Sequence, residues 1–115
     1  MEVTVEKLVG YQKKYLKGLA HGMKPVAYVG QKGLSPTLLQ AIDESLIKHE
    51  LIKVKFIEFK EKKQKLIIAD AIEQETSSGL VGIIGHIAIF YRPQPNPEKR
   101  RIQVPEKKIE LKPDH

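Results

Sequence analysis

The stretch AYVGQKGLSPTLLQ, residues 27–40, constrains the fold of this chain more than any other. A short apolar run, opened by Pro25, breaks at Gly30-Gln31-Lys32-Gly33, and Ser35-Pro36 follows almost at once. A hydroxyl N-cap with Pro at the first helical position is a strong helix start. The Ser oxygen accepts from an otherwise orphaned backbone N–H, and Pro lacks an N–H to orphan. Leu38, Leu39, Ile42, Leu46 and Ile47 recur at helical spacing and predict the buried stripe of that helix. Lys48 and His49 stand near its C-terminus, where the helix dipole favours positive charge. The segment therefore reads as strand over 25–29, glycine loop, then helix.

The flanking segments extend the alternation. Leu8, Tyr11, Tyr15, Leu16 and Leu19 predict an amphipathic helix whose polar face carries Lys7, Lys13, Lys14 and Lys17. Thr4 is its candidate cap, Gly22 its candidate C-cap, and Gly10 weakens its early turns. Residues 52–59 alternate as a strand with one wet face: Val54 and Phe56 point one way, Lys53 and Lys55 the other. After the lysine-rich run 60–65, Leu66, Ile67, Ala71 and Ile72 suggest a third helix, closed by Ser77-Ser78-Gly79. Residues 80–84 and 87–91 form a hairpin candidate around Gly85-His86. The predicted order is helix, strand, helix, strand, helix, strand, strand: a small α/β (α+β) domain with one four-stranded sheet, over residues 1–93. Pro93, Pro95, Pro97, Pro105 and Pro113 break any core pattern beyond it, so 94–115 is expected to be a flexible, basic tail.

The 115 residues suit one domain. They include no cysteine, which excludes disulfides and thiolate metal sites. No leader-like or membrane-spanning run is visible, and a cytoplasmic location is expected. The four histidines, at 21, 49, 86 and 115, show no metal-ligand spacing. Phosphate-binding nucleotide motifs and a nucleophile elbow are absent, so neither cofactor, small-molecule substrate nor catalytic residue is expected. The net charge of +6 makes nucleic acid a natural partner. The charge is uneven: residues 1–34 and 51–65 each carry a net +4, and the segments after them, 35–50 and 66–92, each carry −2.

Gly-x-x-Gly occurs three times, but only residues 30–33 have a polar, basic interior feeding a capped helix. Two readings of this loop stand open. Glycines let backbone approach a phosphodiester closely, a helix N-terminus offers unpaired N–H groups, and Lys32 adds a charge. That is the logic of the loop with which KH domains clamp single strands. Alternatively the loop is a turn requiring positive φ, with Lys32 merely solvated. Lysines at the start of the third helix oppose its dipole, which bound phosphate would offset, although a solvated loop explains that run equally well. With three Phe and four Tyr, a surface built on aromatic base stacking is not expected.

The segment LKGLAHGMKPVAYVGQKGLSPTLLQAIDESLIKHELIKVKF, with YRP at 91–93, closely resembles the CRM domain, the YhbY-type family of bacterial ribosome-associated proteins also found in plant organelle splicing factors. The resemblance implies a two-layer α-β-α-β-α-β-β fold with a mixed sheet, akin to the C-terminal domain of translation initiation factor three. It implies RNA binding through Gly30, Gln31, Lys32 and Gly33, and association with large-subunit ribosomal RNA or its precursors, as in the free-standing bacterial form. Lys13, Lys14, Lys17 and Lys24 would extend the basic surface, with Lys53, Lys55 and Arg92 as further candidates. A monomer is expected. The competing reading is a protein-interaction adaptor whose basic blocks answer an acidic protein surface.

Overall fold

The computed structural model describes residues 8–58 and 61–106; Thr4, Lys7, Phe59, Lys60 and the basic pair Lys107-Lys108 lie outside them. The elements are α1 (Gly10–Ala20), β1 (Ala27–Val29), α2 (Pro36–His49), β2 (Leu51–Phe56), α3 (Lys62–Thr76), β3 (Gly79–Ile84) and β4 (Ile87–Tyr91), with a short 3₁₀ turn at Pro97–Lys99. The order is the predicted one. The four strands form one mixed sheet, β1-β2-β4-β3. β1 runs parallel to β2, with Tyr28 opposite Lys55, and β4 is antiparallel to both β2 and β3.

The sheet has two covered faces, so the molecule has three layers rather than the two expected. On one face α2 and α3 pack over Ala27, Val29, Ile52, Val54, Phe56, Ala88 and Phe90, contributing Ile42, Leu46, Ala69 and Ile72. On the other, Leu16 and Ala20 of α1 pack over Leu51, Val81, Ile89 and Tyr91. The second layer exists because Leu51 and the outward residues of β3 and β4 are themselves apolar, a face that water would otherwise wet.

Local details depart from expectation for identifiable reasons. In α1 the buried residues are Gln12, Leu16 and Ala20, while Tyr11, Tyr15 and Leu19 are each about 40% exposed. Small Ala20 permits close approach to the sheet. Gln12 is accommodated because its Oε1 accepts from Val9 N–H and its Nε2 donates to the Pro105 carbonyl. Gly10 is the first residue of the helix, not part of its interior, and the C-cap is right-handed His21, not Gly22. In α2 the stripe is right at Ile42 and Leu46, whereas Ile47 is exposed. In α3 Leu66 and Ile67 are exposed and Lys65 is buried, because Lys65 Nζ donates to the Gly85 carbonyl at 2.8 Å. That helix ends on Ser77 in the left-handed region (φ 52°).

The flexible tail expected from residue 94 is not what residues 94–106 form. Glu50, 1% exposed, accepts from the backbone N–H groups of Gln94 (2.7 Å), Arg101 (2.6 Å) and Ile102 (3.0 Å). Ile102 and Val104 pack on the α1 side of the core. A carboxylate offers enough lone pairs for all three donors, which removes the penalty of burying them.

Candidate nucleic-acid interface

Because β1 and β2 are parallel, the segments that follow them leave the sheet at the same end. Ile57 N–H donates to the Val29 carbonyl (2.9 Å), and Phe56 N–H donates to the His86 carbonyl (2.8 Å). The Gly30–Gly33 loop, the β3–β4 turn and the N-termini of α2 and α3 therefore converge on one end of the molecule.

The loop is a tight turn closed by Gly33 N–H donating to the Gly30 carbonyl at 2.9 Å. Gly33 has φ +70°, which a side chain disfavours; Gly30 has no positive φ, and a Cβ there would meet nothing within 4 Å. The turn requirement thus explains Gly33 but not Gly30. Gln31 and Lys32 project from the tip, both exposed. Beyond it, Ser35 Oγ accepts from Leu38 N–H at 3.1 Å and caps α2 as expected. Lys62 and Lys63, in the first turn of α3, are exposed at this same end, facing the unfavourable sign of their helix dipole.

The other candidate residues separate into groups. Lys55 is exposed one register step from the end of β2, opposite Tyr28. Lys53 shares its face and donates to the His21 carbonyl (3.2 Å). Lys13, Lys14 and Lys17 line α1, with the Lys17 side chain lying across Gly82 of β3. Lys24 precedes β1 and stands at the far end of that strand from the loop. Arg92 is not with the loop. It sits at the opposite end, where Nη1 pairs with Asp43 Oδ1 (2.6 Å) and donates to the Thr76 carbonyl (2.7 Å), tying α2 to the end of α3. Among the described residues this is the only ion pair, so Lys32, Lys55, Lys62 and Lys63 pair with no described carboxylate.

The Arg92 end also holds a cleft of about 950 Å³ lined by Gln12, Asp43, Thr76, Tyr91, Arg92 and Gln94. Burial, then the Glu50 carboxylate, pushes the Tyr91 hydroxyl up to about 12, with Arg100 opposing. No group of His, Asp and Glu among the described residues is arranged to hold a metal. Sequence reading missed two residues. Tyr28 is 53% exposed beside the loop, a placement already implied by the alternation Ala27 in, Tyr28 out, Val29 in. Glu50 carried no local signal, since its partners lie 44 to 52 residues away.

Fold and site together define a three-helix, four-stranded α+β domain with a basic glycine loop at one end. The model of the CRS1/YhbY (CRM) domain matches residues 8–92. A Haemophilus influenzae protein named "RNA-binding protein" is 44% identical over 96 residues, covering 84% of this chain and 93% of that one. Bacillus subtilis "Probable RNA-binding protein YqeI" is 33% identical over 98 residues, covering 85% and 99%. The solution structure of a candidate RNA-binding protein from Staphylococcus aureus superposes with a TM-score of 0.73 at 33% identity, covering 85% of this chain and 99% of that one. The chain belongs to the CRS1/YhbY (CRM) domain family.

Proposed function

We propose that this chain is a non-enzymatic RNA-binding protein that grips RNA at the Gly30–Gly33 loop and neighbouring lysines. Its target on this reading is large-subunit ribosomal RNA or a precursor particle, met as a monomer in the cytoplasm. The observation that carries the reading is the loop: an exposed Gln31-Lys32 tip, open space at Gly30, and the N-terminus of α2 directly behind. A phosphodiester laid against Gly30 would meet backbone without steric hindrance, the positive end of a helix, and the Lys32 ammonium. The names of the relatives support the choice of RNA. Such binding is driven by phosphate contacts and falls with salt, with a log–log slope of about −0.7 per phosphate neutralised on single strands.

Sucrose-gradient sedimentation of a lysate, in low and high salt, tests the target. Co-sedimentation with large-subunit precursors, lost in high salt, is the expected result. Sedimentation at the top of the gradient under both conditions would contradict the ribosomal assignment. Partners that survive ribonuclease in a pull-down would favour the adaptor reading instead.

A further inference from the structure

We infer that Tyr28 is a stacking platform for an unpaired nucleobase of the RNA whose backbone the glycine loop holds; this rests on the RNA-binding reading above. Tyr28 is the middle residue of β1, and Ala27 and Val29 on either side point into the α2/α3 core. Its ring is therefore turned to the opposite face. There α1 covers Leu51 of β2 and residues of β3 and β4, but no residue of β1 joins that cluster. Among the described residues no helix packs over the β1 strip of the sheet, and Tyr28 is 53% exposed on it.

An aromatic ring left in water on an edge strand calls for an account, and its neighbours supply one. Lys55 is its register partner across the parallel pair, and Lys53 lies two residues away on the same face. The Tyr28 hydroxyl and the Lys55 ammonium have no hydrogen-bond or ion-pair partner among the described residues, and neither β1 nor β2 carries a carboxylate. A protein partner of ordinary composition would gain little from two lysines beside one ring. A single-stranded RNA gains from both, since bases stack on aromatic faces while ammonium groups meet the phosphates. Tyr28 also stands two residues from Gly30, about 7 Å along an extended chain. A strand clamped at the loop thus passes within reach of the ring. The short β1, three residues long, offers little edge for a further β-strand to pair with.

The test compares wild type, Tyr28→Phe and Tyr28→Thr, the last keeping a β-branched residue so that the strand survives. The probe is a fluorescein-labelled 12-nucleotide single-stranded RNA of mixed sequence, alongside a matched oligomer whose central riboses are abasic. Stacking predicts that Tyr28→Phe binds like wild type and that Tyr28→Thr loses ~5- to ~150-fold, the range for one stacked base. The salt slope should stay unchanged, because no charge is removed. Tyr28→Thr should also bind intact and abasic RNA alike, whereas wild type prefers the intact one. Wild-type affinity in a folded Tyr28→Thr overturns the inference while leaving the RNA-binding reading standing. Failure of wild type to bind either RNA overturns both. Concentration-dependent self-association of wild type that Tyr28→Thr abolishes would make the strip a contact between copies, and would equally overturn it.

Discussion

Glu50 holds the C-terminal segment to the domain, and Glu50→Gln isolates that role. Glu50 is buried with its backbone at φ +64°, and its carboxylate spreads three accepted hydrogen bonds over its two oxygens. A non-glycine residue at such a φ costs on the order of 1–3 kcal/mol, a strain that the surrounding bonds must offset. In Glu50→Gln one oxygen can still receive Arg101 and Ile102, but the new amide N–H₂ faces the Gln94 N–H. One charge-assisted bond, about 1.5–3 kcal/mol, is replaced by two opposed donors, and the remaining two weaken to roughly 1 kcal/mol each. The gross loss is about 2.5–7 kcal/mol. Undocking caps it, because residues 94–106 can swing into water and rehydrate their amides, at the expense of the half-buried Ile102 and Val104, about 1 kcal/mol apiece. A net loss of about 2–4 kcal/mol is expected, seen as a fall in Tm of roughly 10 °C or more. Hydrogen exchange provides the local readout: the amides of Arg101 and Ile102 should lose protection while those of β2 and β4 keep theirs. Equal protection of these two amides in wild type and variant, with Tm unchanged, would refute the reasoning.

Other outcomes follow from the same geometry. Arg92→Lys cannot reproduce the contacts to Asp43 and Thr76 and should lower stability by about 1–2 kcal/mol, discounted because Asp43 is 45% exposed, with RNA affinity and salt slope unchanged in a binding titration. Tyr91 has its folded pKa raised to about 12 from 10.0, so the stability it contributes is complete below pH 10 and is lost as pH rises towards 12. Tyr91→Phe should accordingly remove a late step from the tyrosinate absorbance titration and flatten the alkaline fall in Tm. Gly33→Ala should cost about 1 kcal/mol through its positive φ, and Gly30→Ala almost nothing, both read by urea denaturation.

Parts of the molecule were legible because local chemistry decides them. Ser35-Pro36 fixes the start of α2, alternation at Val54 and Phe56 fixes β2, and Gly85 with φ +59° fixes the hairpin turn. The inward faces of α1 and α3 were read correctly at Leu16 and Ile72 and misread at other positions, because side-chain size and distant partners, not hydropathy alone, select them. Gln12 is buried on the strength of Pro105, 93 residues away, and Lys65 on the strength of the Gly85 carbonyl. Arg92 reads from sequence as one more free cation, and only the fold brings Asp43 beside it. The third layer was missed since it depends on what covers the α1 side of the sheet, which strand patterns alone do not specify. At the loop the two readings turn out to be compatible: conformation demands glycine at 33, and the open space at 30 suits close approach.

The most direct test of the central claim is a fluorescence-anisotropy titration of a single-stranded RNA across a salt series, with wild type, Lys32→Ala and Gly30→Asp. Gly30→Asp keeps an unstrained turn and places a carboxylate where a phosphate is expected to lie. For wild type, log affinity should fall linearly with log salt, and for Lys32→Ala the slope should be shallower by about 0.7. For Gly30→Asp, a loss of about tenfold or more is expected, with Tm preserved. Wild-type affinity and slope in both folded variants would contradict the account and move the RNA away from the loop.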